Sequence, residues 1–129
     1  MAAPEILSSK QLTNALAVLK HFNSDWDAFA ELFAPDFTHD SRNAPEENKE
    51  QLLGFLNVFC GTFERLAFLP PTEVIQATDV VVLHVHADGV SKEGRQYTSE
   101  FLMIFRFAGE KISSTKEFMD SKYLMEYFA

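Results

Sequence analysis

The chain has 129 residues and no internal repeat, enough for one domain spanning residues 1–129 with a core that needs no staples. Nineteen acidic against eleven basic residues leave a formal charge of −8, with no basic stripe to displace counterions from phosphates. Nucleic acid and an anionic membrane surface are thereby excluded as expected partners. A single cysteine, Cys60, implies no disulfide framework, and no apolar run reaches the length of a membrane span. A soluble, cytoplasmic protein is the expectation. Thirteen phenylalanines are many for this length and point to an aromatic-walled core of the kind that encloses a ligand.

Taken from the start, Ser8-Ser-Lys-Gln11 has the form of a capping box, with Ser8 as cap and Gln11 reaching back. Leu12, Ala15, Leu16, Leu19 and Phe22 follow at helical spacing, so a first helix runs to about Phe22. Ser24 or Asp25 caps a short second helix carrying Trp26, Phe29, Leu32 and Phe33, which stops before Pro35. Phe37 to His39 reads as a short extended piece. Asp40 to Pro45 is a polar loop, with Pro45 suited to a helix first turn. Asn48 to Phe63 reads as a third helix, and Gly54 within it suggests close packing. Pro70-Pro71 ends the helical half.

From there three long strands are expected in a meander: Val74 to Ala87, Gln96 to Phe107 and Lys111 to Met119. Asp88 to Gly94 and Ala108 to Glu110 are the turns between them, and Ser121 to Phe128 closes the chain with helical turns. In the middle strand Phe101, Met103, Phe105 and Phe107 share one face, which must be the buried one. In the last strand neither face is plainly apolar. In the first, Val82, His84 and His86 share a face against Val81, Leu83 and Val85, and alternation by itself favours burying the aliphatic set.

The order helix, helix, short strand, helix, long meander resembles the NTF2-like superfamily, and within it the SnoaL-like polyketide cyclases and the ketosteroid isomerase relatives. The residues that carry the resemblance are Trp26-Asp-Ala-Phe-Ala-Glu-Leu-Phe-Ala-Pro-Asp-Phe37 and Glu110-Lys-Ile-Ser-Ser-Thr-Lys-Glu-Phe-Met-Asp120. It implies an α+β cone, a curved antiparallel sheet wrapped around three N-terminal helices, with a pocket at the wide end. Laid on the steroid isomerase pattern without gaps, the general-base position falls at Ser41 and the oxyanion-hole positions at Ala17 and Met103. Both oxyanion donors are thus missing, and ordinary steroid isomerisation is not expected. The same comparison puts His84 and His86 in the pocket, with Thr115, Glu117 and Met119 from the last strand.

The resemblance therefore implies a pocket in which Glu117, His84, His86 and His39 are catalytic and Ser41, Phe101, Met103, Phe105, Thr115 and Met119 bind substrate. Imidazoles titrate near neutrality, and a carboxyl in apolar surroundings holds its proton to higher pH, so the set suits proton shuttling without a cofactor. The reaction expected is isomerisation or cyclisation of a lipophilic, carbonyl-bearing small molecule of polyketide or terpenoid type. A dehydratase, or a non-catalytic module for ligand binding or dimerisation, stands as the alternative. His-x-His with a carboxylate also matches two-histidine, one-carboxylate metal ligation, although the family implies no metal. Asp120 reads as catalytic or as a cap for the last helix; Asp40, Arg42 and Asn43 lie on a loop at the mouth; Tyr97 and Tyr123 can each place a phenol at the rim. A homodimer paired through the outer sheet face is expected.

Overall fold

The structure is a computed structural model that describes residues 3–42 and 44–129, and of residues 3–8 the backbone alone; Asn43 of the mouth loop lies outside the described residues. Its elements are α1 (Ala3–His21), α2 (Trp26–Glu31), β1 (Phe33–Asp40), β2 (Glu47–Asn48), α3 (Lys49–Gly61), β3 (Phe63–Phe68), β4 (Glu73–Ala77), β5 (Val80–Ser91), β6 (Gln96–Ala108), β7 (Lys111–Met119) and α4 (Ser121–Tyr127). The strands form one sheet in the order β2-β1-β7-β6-β5-β3, with β4 also paired to β5. Neighbours are antiparallel except β1 and β7, which run parallel. The expected α+β cone is present: the sheet curls over α1, α2 and α3.

The meander obeys its alternation. On β6, Phe101, Met103, Phe105 and Phe107 are all buried, and on β5 Val81, Leu83 and Val85 are fully buried. Strand β7 looked two-sided because of a bulge. Arg106 pairs with Ser114 and Phe107 with Ile112, so Ser113 is an extra residue that resets the alternation. Ile112 can therefore point inward at 0% exposure while Thr115, Glu117 and Met119 line the cavity beyond it.

Several local expectations are corrected. The expected strand from Val74 to Ala87 is two strands, β4 and β5, closed by Thr78-Asp79 with Asp79 at a φ of +58°. No Asn-Gly or Asp-Gly pair marks that turn. Residues Phe63 to Phe68, read as the end of a helix and its exit, form β3. A bulge between Phe63 and Arg65 puts Phe63 and Leu66 on the same buried face, three residues apart, which imitates helical spacing. Pro45 lies in the loop, and α3 starts instead at the N-cap Asn48, whose capping box with Gln51 has both hydrogen bonds. Gly54 has open space where a Cβ would stand, so it marks no close packing.

Helix α1 begins at Ala3, which places Ser8 inside it rather than at its cap. Gln11, 1% exposed, does not reach back either. Its amide nitrogen donates to Asp79 Oδ1 at 2.9 Å and to the Gly109 carbonyl at 2.7 Å, tying α1 to the β4–β5 and β6–β7 turns at once. Ala15, Val18 and Phe22 then face the sheet, and Phe22, Trp26, Phe29, Phe33 and Phe37 form a chain of edge and tilted ring contacts along the helical side of the core.

Candidate active site

Between the helices and the inner sheet face lies a cavity of about 320 Å³. Phe22, Phe29, Phe33, Phe59, Phe68 and Phe101 supply much of its apolar wall. Its polar groups come mainly from the β2-β1-β7 side of the sheet. This follows from register: His39 on β1 sits opposite Glu47 on β2 and opposite Thr115 on β7, while Glu117 lies two residues further along the same face of β7, opposite Met103. Three neighbouring strands thus bring one imidazole, two carboxyl groups and a hydroxyl to one region of an aromatic wall.

His39 is 8% exposed, and its Nδ1 shares a hydrogen bond of 2.6 Å with Thr115 Oγ1. Burial lowers its pKa, against the smaller opposing pull of Asp40, so the ring is neutral at neutral pH. Glu117 behaves in the opposite sense. Burial, and after it the charge of Glu47, raises its carboxyl to about 7. Burial also raises Glu47. Among the described residues no hydrogen bond to the Glu117 side chain is found, and the residue, half-buried, lines the cavity. Tyr97, 1% exposed, adds a phenol that burial keeps protonated. It sits in the wall, not at a rim. A carboxyl that is half ionised near pH 7, in the same cavity as a neutral imidazole, can take a proton from carbon and return it elsewhere.

Eight of the sequence-derived site residues meet here: His39, Ser41, Phe101, Met103, Phe105, Thr115, Glu117 and Met119 all line this cavity. His84 and His86 do not, and their expected place in the pocket is corrected. With Val81, Leu83 and Val85 inside, the intervening histidines project from the outer face, where both contact Glu100. Asp120 is the N-cap of α4, accepting from the Tyr123 backbone N–H at 3.1 Å, and it faces a shallow outer groove. Asp40 accepts from the Arg42 backbone N–H and pairs with its guanidinium at 3.5 Å, so this pair braces the mouth loop. Tyr123 accepts from the Thr98 N–H at 2.9 Å with its hydroxyl, which ties α4 to β6. Cys60 is buried, and burial raises its thiol to about 11, which makes it inert as a nucleophile.

Sequence reasoning missed Glu47. It occupies a two-residue strand between a loop and a helix cap, and nothing local in the sequence separates it from Glu46 or Glu50. Only the pairing of His39 with Glu47 brings it to the cavity.

No curated protein sequence matches this chain. Solved structures share its fold at low identity. A protein from Jannaschia sp. CCS1, provisionally named a SnoaL-like polyketide cyclase, is similar at a TM-score of 0.81 and 20% identity over 92% of this chain and 91% of its own. The BvnE pinacolase from Penicillium brevicompactum is similar at 0.81 and 16% identity over 95% and 90%. An NTF2-like protein from Anabaena variabilis is similar at 0.75 and 20% identity over 88% and 91%. The family model of the SnoaL-like domain matches residues 14–115, from the middle of α1 to the strand that carries Thr115, and the chain belongs to that family.

Proposed function

We propose that this protein is a cofactor-independent isomerase or cyclase that moves a proton on a lipophilic, carbonyl-bearing small molecule of polyketide or terpenoid type. The observation that carries the reading is the Glu117 carboxyl, raised to about 7 within an aromatic cavity. As a carboxylate it takes a proton from the carbon next to the substrate carbonyl, and the electron pair moves onto the carbonyl oxygen. A neutral imidazole at His39 and the Tyr97 hydroxyl are among the hydrogen-bond donors that line the cavity and could serve that oxygen. The Glu117 carboxylic acid then returns its proton to a different carbon, which shifts a double bond. Alternatively the enolate carbon attacks a second carbonyl of the same molecule, which closes a ring, and the proton goes to the new alkoxide. Neither route needs an oxidant or a metal. That proteins named a polyketide cyclase and a pinacolase share the fold supports this choice of reaction class.

The test is hydrogen exchange in D₂O with a panel of lipophilic 1,3-diketones and β,γ-unsaturated ketones, followed by NMR. The protein should accelerate exchange or double-bond migration on some members. Glu117→Gln should reduce that rate by about 10²–10⁴-fold. The double variant His84→Gln with His86→Gln, altered only on the outer face, should stay within about twofold of the original. Catalysis lost in the double variant and kept in Glu117→Gln would overturn the assignment.

A further inference from the structure

We propose that His84, His86 and Glu100 form a binding site for a divalent transition metal, of the zinc, nickel or copper class, on the outer face of the sheet. The site is separate from the cavity. His84 and His86 are two apart on β5 and project together, with ring centroids 5.3 Å apart. Glu100 on β6 lies directly opposite His86 in the β-ladder. Both Nε2 atoms converge on the same carboxylate oxygen of Glu100, at 3.6 Å for His86 and in closer hydrogen-bonding contact for His84. One donor atom from each residue lies within 4.8 Å of the other two. A tetrahedral ion with bonds of about 2.0–2.1 Å holds its ligands roughly 3.3 Å apart, so small side-chain rotations close the set.

The surroundings of His84 are compatible with a bound metal. Thr72 Oγ1 lies 3.2 Å from the His84 carbonyl oxygen and 3.1 Å from His84 Nδ1, and its one proton can serve either. When that proton goes to the carbonyl, Oγ1 accepts from Nδ1–H and Nε2 is free to bind a cation beside Glu100. Thr72 is then placed as the outer-shell partners of metal-bound histidines are. Two imidazoles and one carboxylate suit zinc, nickel or copper and not magnesium or calcium. Glu73, opposite His84 on β4, lines the same shallow groove with Asp120, which adds negative charge and a further oxygen donor. An ion bound here would clip β5 to β6, so its effect falls on stability and not on the cavity chemistry.

The experiment uses tag-free protein stripped with chelator, titrated calorimetrically with zinc chloride and separately with calcium chloride, with melting followed alongside. One zinc per chain should bind and raise Tm, and calcium should give no response. His84→Gln with His86→Gln, and separately Glu100→Gln, should abolish or greatly weaken zinc binding while the metal-free variants melt as the parent does. Thr72→Val should weaken it by about tenfold, and His39→Gln should leave it unchanged. No zinc binding, or binding that survives loss of both outer histidines, would show that the cluster is an ion pair alone and overturn the site.

Discussion

Glu47 on β2 and Glu117 on β7 flank the strand that carries His39, and the charge of Glu47 opposes the ionisation of Glu117. Burial is the larger cause of the raised Glu117 carboxyl, and Glu47 is the second. Glu47→Gln should therefore move Glu117 down without restoring an ordinary carboxyl. If Glu117 is the base, the rising limb of the pH–rate profile shifts to lower pH in this variant, by less than its full distance from the ordinary value of 4.5. A profile that does not move would separate Glu47 from the site.

Glu117 also leaves a signature in stability. Its folded pKa of about 7 lies above the ordinary value of 4.5, so between those two pH values the folded state binds the proton more tightly than the unfolded chain does. The stability this contributes is complete below pH 4.5 and is lost as pH rises to about 7. Glu117→Gln should flatten that part of the curve. It should make the protein more stable than the parent at pH 8, by on the order of 1–3 kcal/mol, measured by urea unfolding. A variant that loses turnover and gains stability is the mark of a group kept for chemistry.

The hydrogen bond between His39 Nδ1 and Thr115 Oγ1 orients the ring toward the cavity. Thr115→Val keeps the volume and removes the partner. On the proposed mechanism kcat should fall by about five- to tenfold with KM little changed, the loss expected for one hydrogen bond. His39→Gln should cost more than Thr115→Val. Equal kinetics in the parent and Thr115→Val would leave His39 without a positioning partner.

Gly89 sets how closely β3 can approach β5. A Cβ at this position would stand 2.4 Å from the Arg65 carbonyl oxygen and 2.9 Å from Leu66 Cδ1. The first of these is backbone, so the strand pair itself must shift. Gly89→Ala should destabilise by about 1–3 kcal/mol, read from the urea midpoint. Gly54→Ala, placed in open space on a helix, should stabilise by up to about 1 kcal/mol.

The sequence by itself determined which side chains alternate. Val81, Leu83 and Val85 against His84 and His86, and Phe101 to Phe107 against Leu102 and Ile104, follow from the two-residue period of a strand, which is a local property of the chain. The cap of the second helix, narrowed to Ser24 or Asp25, was legible for the same reason, as it depends on a hydrogen bond spanning three residues. The gap-free comparison with the steroid isomerase pattern placed the histidines inside, because a slip of one residue along a strand exchanges its two faces. Only the tertiary structure decided the rest. The bulges at Ser113 and Glu64 reset alternation where no local signal announces it. The meeting of His39, Glu47 and Glu117 depends on the register of three strands far apart in sequence, and so does the meeting of both outer histidines with Glu100. Register is fixed by burying apolar faces across the whole sheet, a condition that no single segment contains.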